Sequence, residues 1–365
     1  MRPVPQKERF VVFDLMRGYF VFGIVVNHLA LFPNLIALFT GASKLWVSLA
    51  EGFFMVSGFF VGYLYKDKIK VGLKDVFTKL SLRSLRLYLW TVYLSLLFTY
   101  WGNMMPRGLV KESLWIVRWD NVFELLLKVF TFQYTYGWAD ILPIYVVFLL
   151  VSPFYLWFLS KGKWFYLFAL NLFIWIFRGR SIYLAIQPIF FGGMILGYYA
   201  EKIRIFWSSV SIDKKHKFKV ILYGTFILTL IASVISVFFF NQIVAGSSIS
   251  SFLIAKNRVL NYYFDKQTVG LGRLVLAPIW IVTSMFLFSK FEKFIVRHLG
   301  WLFLTFGKNS LYAYILHAFV IYPVPFFVYY FKIQSIWWNT VISVICVFLI
   351  YFLLNLSSHA FKKRF

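Results

Sequence analysis

Stretches of about twenty residues without a single charge recur along this chain, and they limit its architecture more than any other feature. Ile141–Leu159 and Ile336–Leu356 contain no Asp, Glu, Lys or Arg. A helix needs roughly 20 apolar residues to cross the hydrocarbon of a bilayer. Inside that hydrocarbon the backbone polar groups must be satisfied within the segment, so such stretches read as transmembrane helices. The whole sequence agrees with this reading: 61% of its 365 residues are hydrophobic and 14% are charged. A soluble domain runs nearer 45–50% and about 25%. The expected fold class is an all-α polytopic membrane protein, with one membrane domain over residues 1–365 and no separate soluble domain.

Apolar runs predict about ten spans: Phe10–Phe32, Leu45–Tyr65, Ser84–Trp101, Ile141–Leu159, Trp164–Phe177, Ile182–Tyr199, Phe218–Phe240, Leu274–Ser289, Asn309–Tyr330 and Ile336–Leu356. Val122–Tyr136 is apolar but short and charged, which suits a re-entrant or interfacial helix. The net charge of +25 would suggest nucleic acid in a soluble protein. Here it follows the positive-inside rule: Lys and Arg gather roughly two to one on the side of the termini, which places both termini in the cytoplasm. The partner implied is therefore the lipid bilayer and not nucleic acid. Cys346 is alone, so no internal disulfide and no Cys-based metal site is expected. The charged start and the polar first span do not look like a cleavable signal peptide.

The first span carries Asp14, Arg17, Asn27 and His28. A charged group at the bilayer centre costs roughly 2.5–3.5 kcal/mol on insertion scales, so these residues need a reason. Arg17 and His28 are eleven residues apart. At about 100° per residue they fall within ~20° of the same face, roughly 16 Å apart along the axis. Asp14 precedes Arg17 by three residues and joins that face. The stripe reads either as a structural ion pair with a satisfied interior histidine, or as a site. Glu51 enters the second span at about the depth of His28. It is either an interfacial glutamate or a carboxylate that orients the imidazole, as an acid partner orients a catalytic base. Gly58 and Gly62, four residues apart, read as a close-packing face.

The pattern Asp14-x-x-Arg17-Gly18, then His28, then Phe53-Phe54-x-x-Ser57-Gly58-Phe59 resembles the membrane acyltransferase-3 superfamily, as does Arg83-x-x-Arg86-Leu87-Tyr88. Asp140-Ile141-Leu142-Pro143-Ile144-Tyr145, Gln187-Pro188 through Gly192-Gly193-Met194, Asp265-Lys266, and Gly307-Lys308-Asn309-Ser310-Leu311 ahead of His317 look like its osmoregulated periplasmic glucan succinyltransferase branch. One departure is that Gln267-Thr268-Val269 follow Lys266 where that branch has a more regular Asp-Lys-Thr-Asn-like segment. The resemblance covers nearly the whole chain. It implies a multi-pass enzyme of the bacterial plasma membrane that moves an acyl group, succinyl or acetyl, from cytoplasmic acyl-CoA to a hydroxyl of an extracytoplasmic glycan or lipid-linked sugar.

In that scheme His28 is general base or transient acyl carrier, and Glu51, Asp14 and Arg17 complete the catalytic set. Arg83 and Arg86 would grip CoA phosphates, with Ser57 nearby. Asp140, Gln187, Asp265, Lys266, Arg273 and His317 would contact the acceptor. Acyl-CoA is a substrate, and no bound cofactor or metal is expected: the sequence has no HExxH, no Walker-type glycine loop, no nucleophile elbow and no Cys or His cluster. The alternative is a transporter or flippase for a polar or lipid-linked substrate, since buried Asp, Arg and His also serve relays. The missing internal repeat weighs against it.

Overall fold

The computed structural model describes residues 11–104, 121–245, 250–331 and 335–362. Several residues that enter the charge bias (Arg2, Lys7, Arg9, Arg107, Lys111, Arg118, Lys332, Lys363 and Arg364) lie outside the described residues, as does Phe10. Every long element among the described residues is a helix. In chain order these are α1 Val11–Leu29, α2 Leu35–Thr40, α3 Leu49–Tyr65, α4 Lys68–Val71, α5 Leu73–Met104, α6 Val122–Phe130, α7 Ile141–Ser160, α8 Trp164–Trp175 and α9 Ile182–Tyr198. There follow α10 Ala200–Ser209, α11 Ile212–Val234, α12 Phe240–Ala245, α13 Ser250–Tyr263, α14 Leu271–Lys290, α15 Glu292–Lys308, α16 Ser310–Ile321, α17 Val324–Tyr330 and α18 Ile336–Lys362. The protein is an all-α polytopic membrane protein.

Each of the ten expected spans falls on a helix, but they are not equal. Six stretches are long and apolar enough to cross a membrane: Val11–His28, Gly137–Ser160, Ile212–Phe239, Leu271–Lys290, Ser310–Val328 and Ile336–Leu356. The pair α9 and α10, bent by 66°, makes a seventh if taken as one span. Of the remaining three, α3 and α8 are apolar but short. At 1.5 Å per residue the 12 residues of α8 reach only about 18 Å, against a core about 30 Å thick. Helix α5 is long enough, but its first half carries charge, including Asp75, Lys79, Arg83 and Arg86.

Helix α15 departs from the sequence reading. Residues 290–308 were expected as a basic connection. Instead Glu292–Lys308 forms a 17-residue helix that packs along α1. Its charges (Glu292, Lys293, Arg297, Lys308) dilute the average hydropathy, while Leu302, Phe303 and Phe306 on one face are buried. Glycines make the contact possible. A side chain at Gly18 would run into the carbonyl of Phe303, and one at Gly307 into the carbonyl of Asp14. The two helices are therefore antiparallel and in backbone contact.

Helices α3 and α9 use the same device in parallel orientation. Gly58 faces the carbonyl of Phe190 and Gly62 that of Met194, while Gly193 faces Met55 and Gly197 faces Phe59. The four-residue spacing on both helices keeps the small residues on one seam. Backbone cannot rotate out of the way as a side chain can, so Gly193→Val is expected to destabilise by about 3 kcal/mol, the upper end of overpacking costs. Gly192 has open space around it, and Gly192→Ala is expected to be neutral or slightly stabilising. Thermal unfolding of the detergent-solubilised protein compares the two; equal melting temperatures would contradict the seam.

Candidate active site

Helix α1 meets α3, α14, α15, α16 and α18, so its polar stripe is turned inward. The stripe meets one partner in particular. His28 Nδ1 lies 3.0 Å from Nε2 of His317, and Arg17 donates through Nη2 to Ser310 Oγ. Ser310 and His317 are seven residues apart on α16, close to two full turns, so they share a face. Two stripes of eleven and seven residues thus face each other, and the long Arg17 side chain takes up the difference.

Hydrogen-bond roles in the histidine pair follow from its outer end. His317 is fully buried, and its Nδ1 contacts the backbone carbonyl of Tyr314. A carbonyl only accepts, so His317 Nδ1 carries the hydrogen. In a neutral imidazole the other nitrogen, Nε2, is then an acceptor. His28 Nδ1 must donate to it, which leaves His28 Nε2 with its lone pair. This assignment follows from the network, as tautomers generally do. His28 is only half-buried because it lines a cavity.

That cavity, about 130 Å³, is walled by Ile24, Leu49, Phe54, Ile141, Ile144, Ile182, Ile186 and Val269 on its apolar sides. Its polar groups are Asn27, His28, Ser43, Ser48, Glu51, Asp140 and Lys266. Asp140 accepts from the Tyr314 hydroxyl at 3.1 Å. Tyr314 therefore holds two walls at once, His317 through its carbonyl and Asp140 through its hydroxyl. Asn27 Oδ1 accepts from Thr40 Oγ1 at 2.7 Å.

Glu51 neither faces water nor pairs with His28, the two alternatives that the sequence left open. It is 2% exposed and forms an ion pair with Nη1 of Arg273. It also accepts from the Ser48 backbone N–H at 2.6 Å and from the Ser48 hydroxyl. The local cause is the sequence Ser48-x-x-Glu51, where an N3 glutamate reaches back to the N-cap. Arg273 likewise is not a surface residue for sugar. It is 2% exposed, and donates to Phe264 O at 3.1 Å and Leu45 O at 2.8 Å besides Glu51. Glu51 and Arg273 together pin the start of α3, the start of α14 and the chain before each.

The loop between α13 and α14 is set by the same contacts. Asp265 accepts from Thr268 N at 2.7 Å and Thr268 Oγ1 at 2.6 Å, and Gly270 N donates to Asp265 O at 3.0 Å. Phe264 stacks on Trp46 at 4.0 Å with rings 5° apart. Trp175 Nε1 donates to Val269 O at 3.0 Å. Asp265 is thus spent on its own turn; partial burial pushes its carboxyl up, and the Thr268 hydroxyl and amide, with the Gln267 amide and the Arg273 charge, together outweigh that and leave it below the ordinary value. Its neighbour Lys266 is directed to the cavity.

A second polar centre lies toward the other end of α1. Arg17 sits over the Phe60 ring at 5.2 Å, and lies in the electrostatic field of Tyr145, Arg83 and Asp14. Its Nε is buried without a partner. The ion pairs among the described residues do not include Asp14 with Arg17; the charge of Asp14 acts on Arg17, while the guanidinium hydrogen-bonds Ser310. Asp14 is buried beside the Gly307 contact. Tyr145 faces Ser57, donates to Phe53 O at 3.3 Å, and stacks on Phe54 at 4.8 Å. Arg83 is exposed, and Arg86 is exposed without a hydrogen bond or ion pair among the described residues. Gln187 joins neither centre. It is buried and donates to Asn171 O at 2.6 Å, and Asn171 in turn accepts from Tyr155 at 2.7 Å, a tie between α7, α8 and α9.

The structure therefore gathers His28, Glu51, Asp140 and Lys266 around one cavity, with His317 buried behind His28, and Arg17, Ser57 and Arg83 around Tyr145. Tyr314 and Ser48 escaped the sequence reading. Tyr314 sits three residues before His317, on the same helical face, and Ser48 opens a capping box; both signals were present. Among the described residues no three His, Cys, Asp or Glu side chains gather as a metal site. A family model described as OpgC protein matches residues 9–361. No curated protein and no solved structure matches the chain significantly.

Proposed function

The chain belongs to the OpgC protein family, and from that premise we propose that it is a membrane O-acyltransferase acting in succinyl modification of osmoregulated periplasmic glucan, with acyl-CoA as donor. The observation that carries this reading is the His28–His317 pair, because it leaves one imidazole lone pair at a cavity within the bundle. Arg17, Arg83 and Tyr145 form the donor end: a CoA phosphate would meet the guanidinium groups, which suit phosphate by charge and planar geometry. From Arg17 to His28 is roughly 16 Å along α1, a span that an extended pantetheine arm bridges.

At the cavity the acceptor hydroxyl donates to His28 Nε2. Its proton passes to His28 as its oxygen bonds to the thioester carbonyl carbon. The tetrahedral intermediate then collapses, the C–S bond breaks, and the departing CoA thiolate takes the proton back from His28. His317 accepts from His28 Nδ1 throughout, which holds the ring in the tautomer that can act as base, the task that an orienting acid performs in other base-catalysed acyl transfers. Asp140 and Asn27 offer hydrogen bonds to sugar hydroxyls. The protein sits in the bacterial inner membrane, with the donor arriving from the cytoplasm.

The test is mass spectrometry of extracytoplasmic glucans from cells lacking the protein, with and without the restored wild-type chain. The expected result is a mass increment of one succinyl group that appears only with the protein. Equal acylation in both, with a changed amount of exported glucan, would replace this reading by transport.

A further inference from the structure

Lys266 brings an ammonium to the cavity that has no hydrogen bond or ion pair among the described residues. It lines the cavity with His28, Glu51 and Asp140, and its charge is felt at His28. The neighbouring acids are already engaged: Glu51 by Arg273 and Ser48, Asp140 by the Tyr314 hydroxyl. No ion pair to Lys266 occurs among the described residues. The loop beneath it is fixed on four sides, by the Asp265–Thr268 turn, the Phe264–Trp46 stack, the Arg273–Phe264 bond and the Trp175–Val269 bond. A flexible surface lysine needs none of this.

On the acyl-transfer reading given above, we infer that the Lys266 ammonium is the subsite for the distal carboxylate of a dicarboxylic acyl donor, and so selects succinyl over acetyl. The acyl carbonyl must lie at His28 for reaction, and the far end of a four-carbon acyl chain then extends along the same cavity. An acetyl group ends in a methyl and would leave the ammonium unanswered. A succinyl group brings the anion. Partial burial lowers the Lys266 pKa, Glu51 opposes that and Arg273 reinforces it; an anion in contact would restore the charged form. The sugar hydroxyls do not need Lys266, since Asp140, Asn27 and Ser48 provide neutral and acceptor partners on the other walls.

The experiment uses the purified full chain in detergent or nanodiscs, with succinyl-CoA and acetyl-CoA offered separately to the periplasmic glucan fraction and product read by mass and by CoA release. Lys266→Met keeps the length of the side chain and removes the charge. The expected result is a fall in the succinyl-over-acetyl rate ratio of about 10- to 100-fold, the range of one charge-assisted hydrogen bond, with Lys266→Arg keeping most of the wild-type ratio. A parallel fall with both donors would mean that Lys266 acts on the transition state or the fold, and overturns the inference; an unchanged ratio overturns it too. If wild type turns over neither donor while the protein is folded, the acyl-transfer reading itself fails, and the inference with it.

Discussion

In His28→Ala, acyl transfer is expected to fall by about 10²- to 10⁴-fold, the usual contribution of a positioned general base. The protein should still accumulate in the membrane and melt close to wild type. The substitution removes a ring that borders a cavity, so little packing is lost. It does leave His317 Nε2 without its donor, but that nitrogen then faces the same cavity. The measurement is succinyl-glucan formation per unit of membrane protein, alongside the melting temperature. Wild-type turnover in a well-folded His28→Ala protein would remove the histidine pair from the chemistry.

His317 supplies the control for this argument. His317→Gln keeps an amide oxygen that can accept from His28 Nδ1, whereas His317→Ala does not. The Gln variant should retain much of the turnover that the Ala variant loses, with KM for the donor little changed in both. His317→Leu, which fills much the same space but carries no acceptor, should behave like the Ala variant; turnover in it equal to that of the Gln variant would reduce His317 to packing.

The one-chain geometry of the site was legible in the sequence; the pairing between helices was not. The Arg17-to-His28 spacing fixes a shared face on α1 through the helical repeat alone, and both residues do turn to a single partner, α16. Nothing local says that the partner is α16 and not α3. The hairpin of α1 and α3 made Glu51 the natural mate for His28. The competing signal was four residues long: Ser48-x-x-Glu51 is a capping-box pattern, and it turns the carboxylate back on its own helix start. Arg273 is 222 residues from Glu51, and no periodicity links them. Helix α15 was missed for a different reason. Hydropathy averages over a helix, so an amphipathic segment with one deeply buried face reads as a loop when its other face is charged. The glycine seams show the opposite case. Small residues at four-residue spacing carry their geometry in the sequence, and Gly58 and Gly62 pack as that spacing implies.

Arg273→Ala is expected to cost about 3–5 kcal/mol of stability, the price of removing one member of a buried ion pair. The reason lies in what remains. Glu51 would keep only the Ser48 hydrogen bonds, with a formal charge in a site 2% exposed, and the carbonyls of Leu45 and Phe264 would lose their donors. Three chain segments meet at that one guanidinium, so the loss spreads to the start of α3, the start of α14 and the loop that carries Lys266. Glu51→Gln combined with Arg273→Met removes both charges at similar volume. It should recover most of the stability, as replacing a whole buried pair by neutral groups often does. Thermal unfolding of the two single variants and the double variant gives the coupling between them. Activity then separates two roles for Glu51. If the double variant regains both its melting temperature and its succinyl transfer, Glu51 serves to hold the cavity in shape. If it regains stability while transfer stays low, the carboxylate acts on the substrate in the cavity that it lines together with His28.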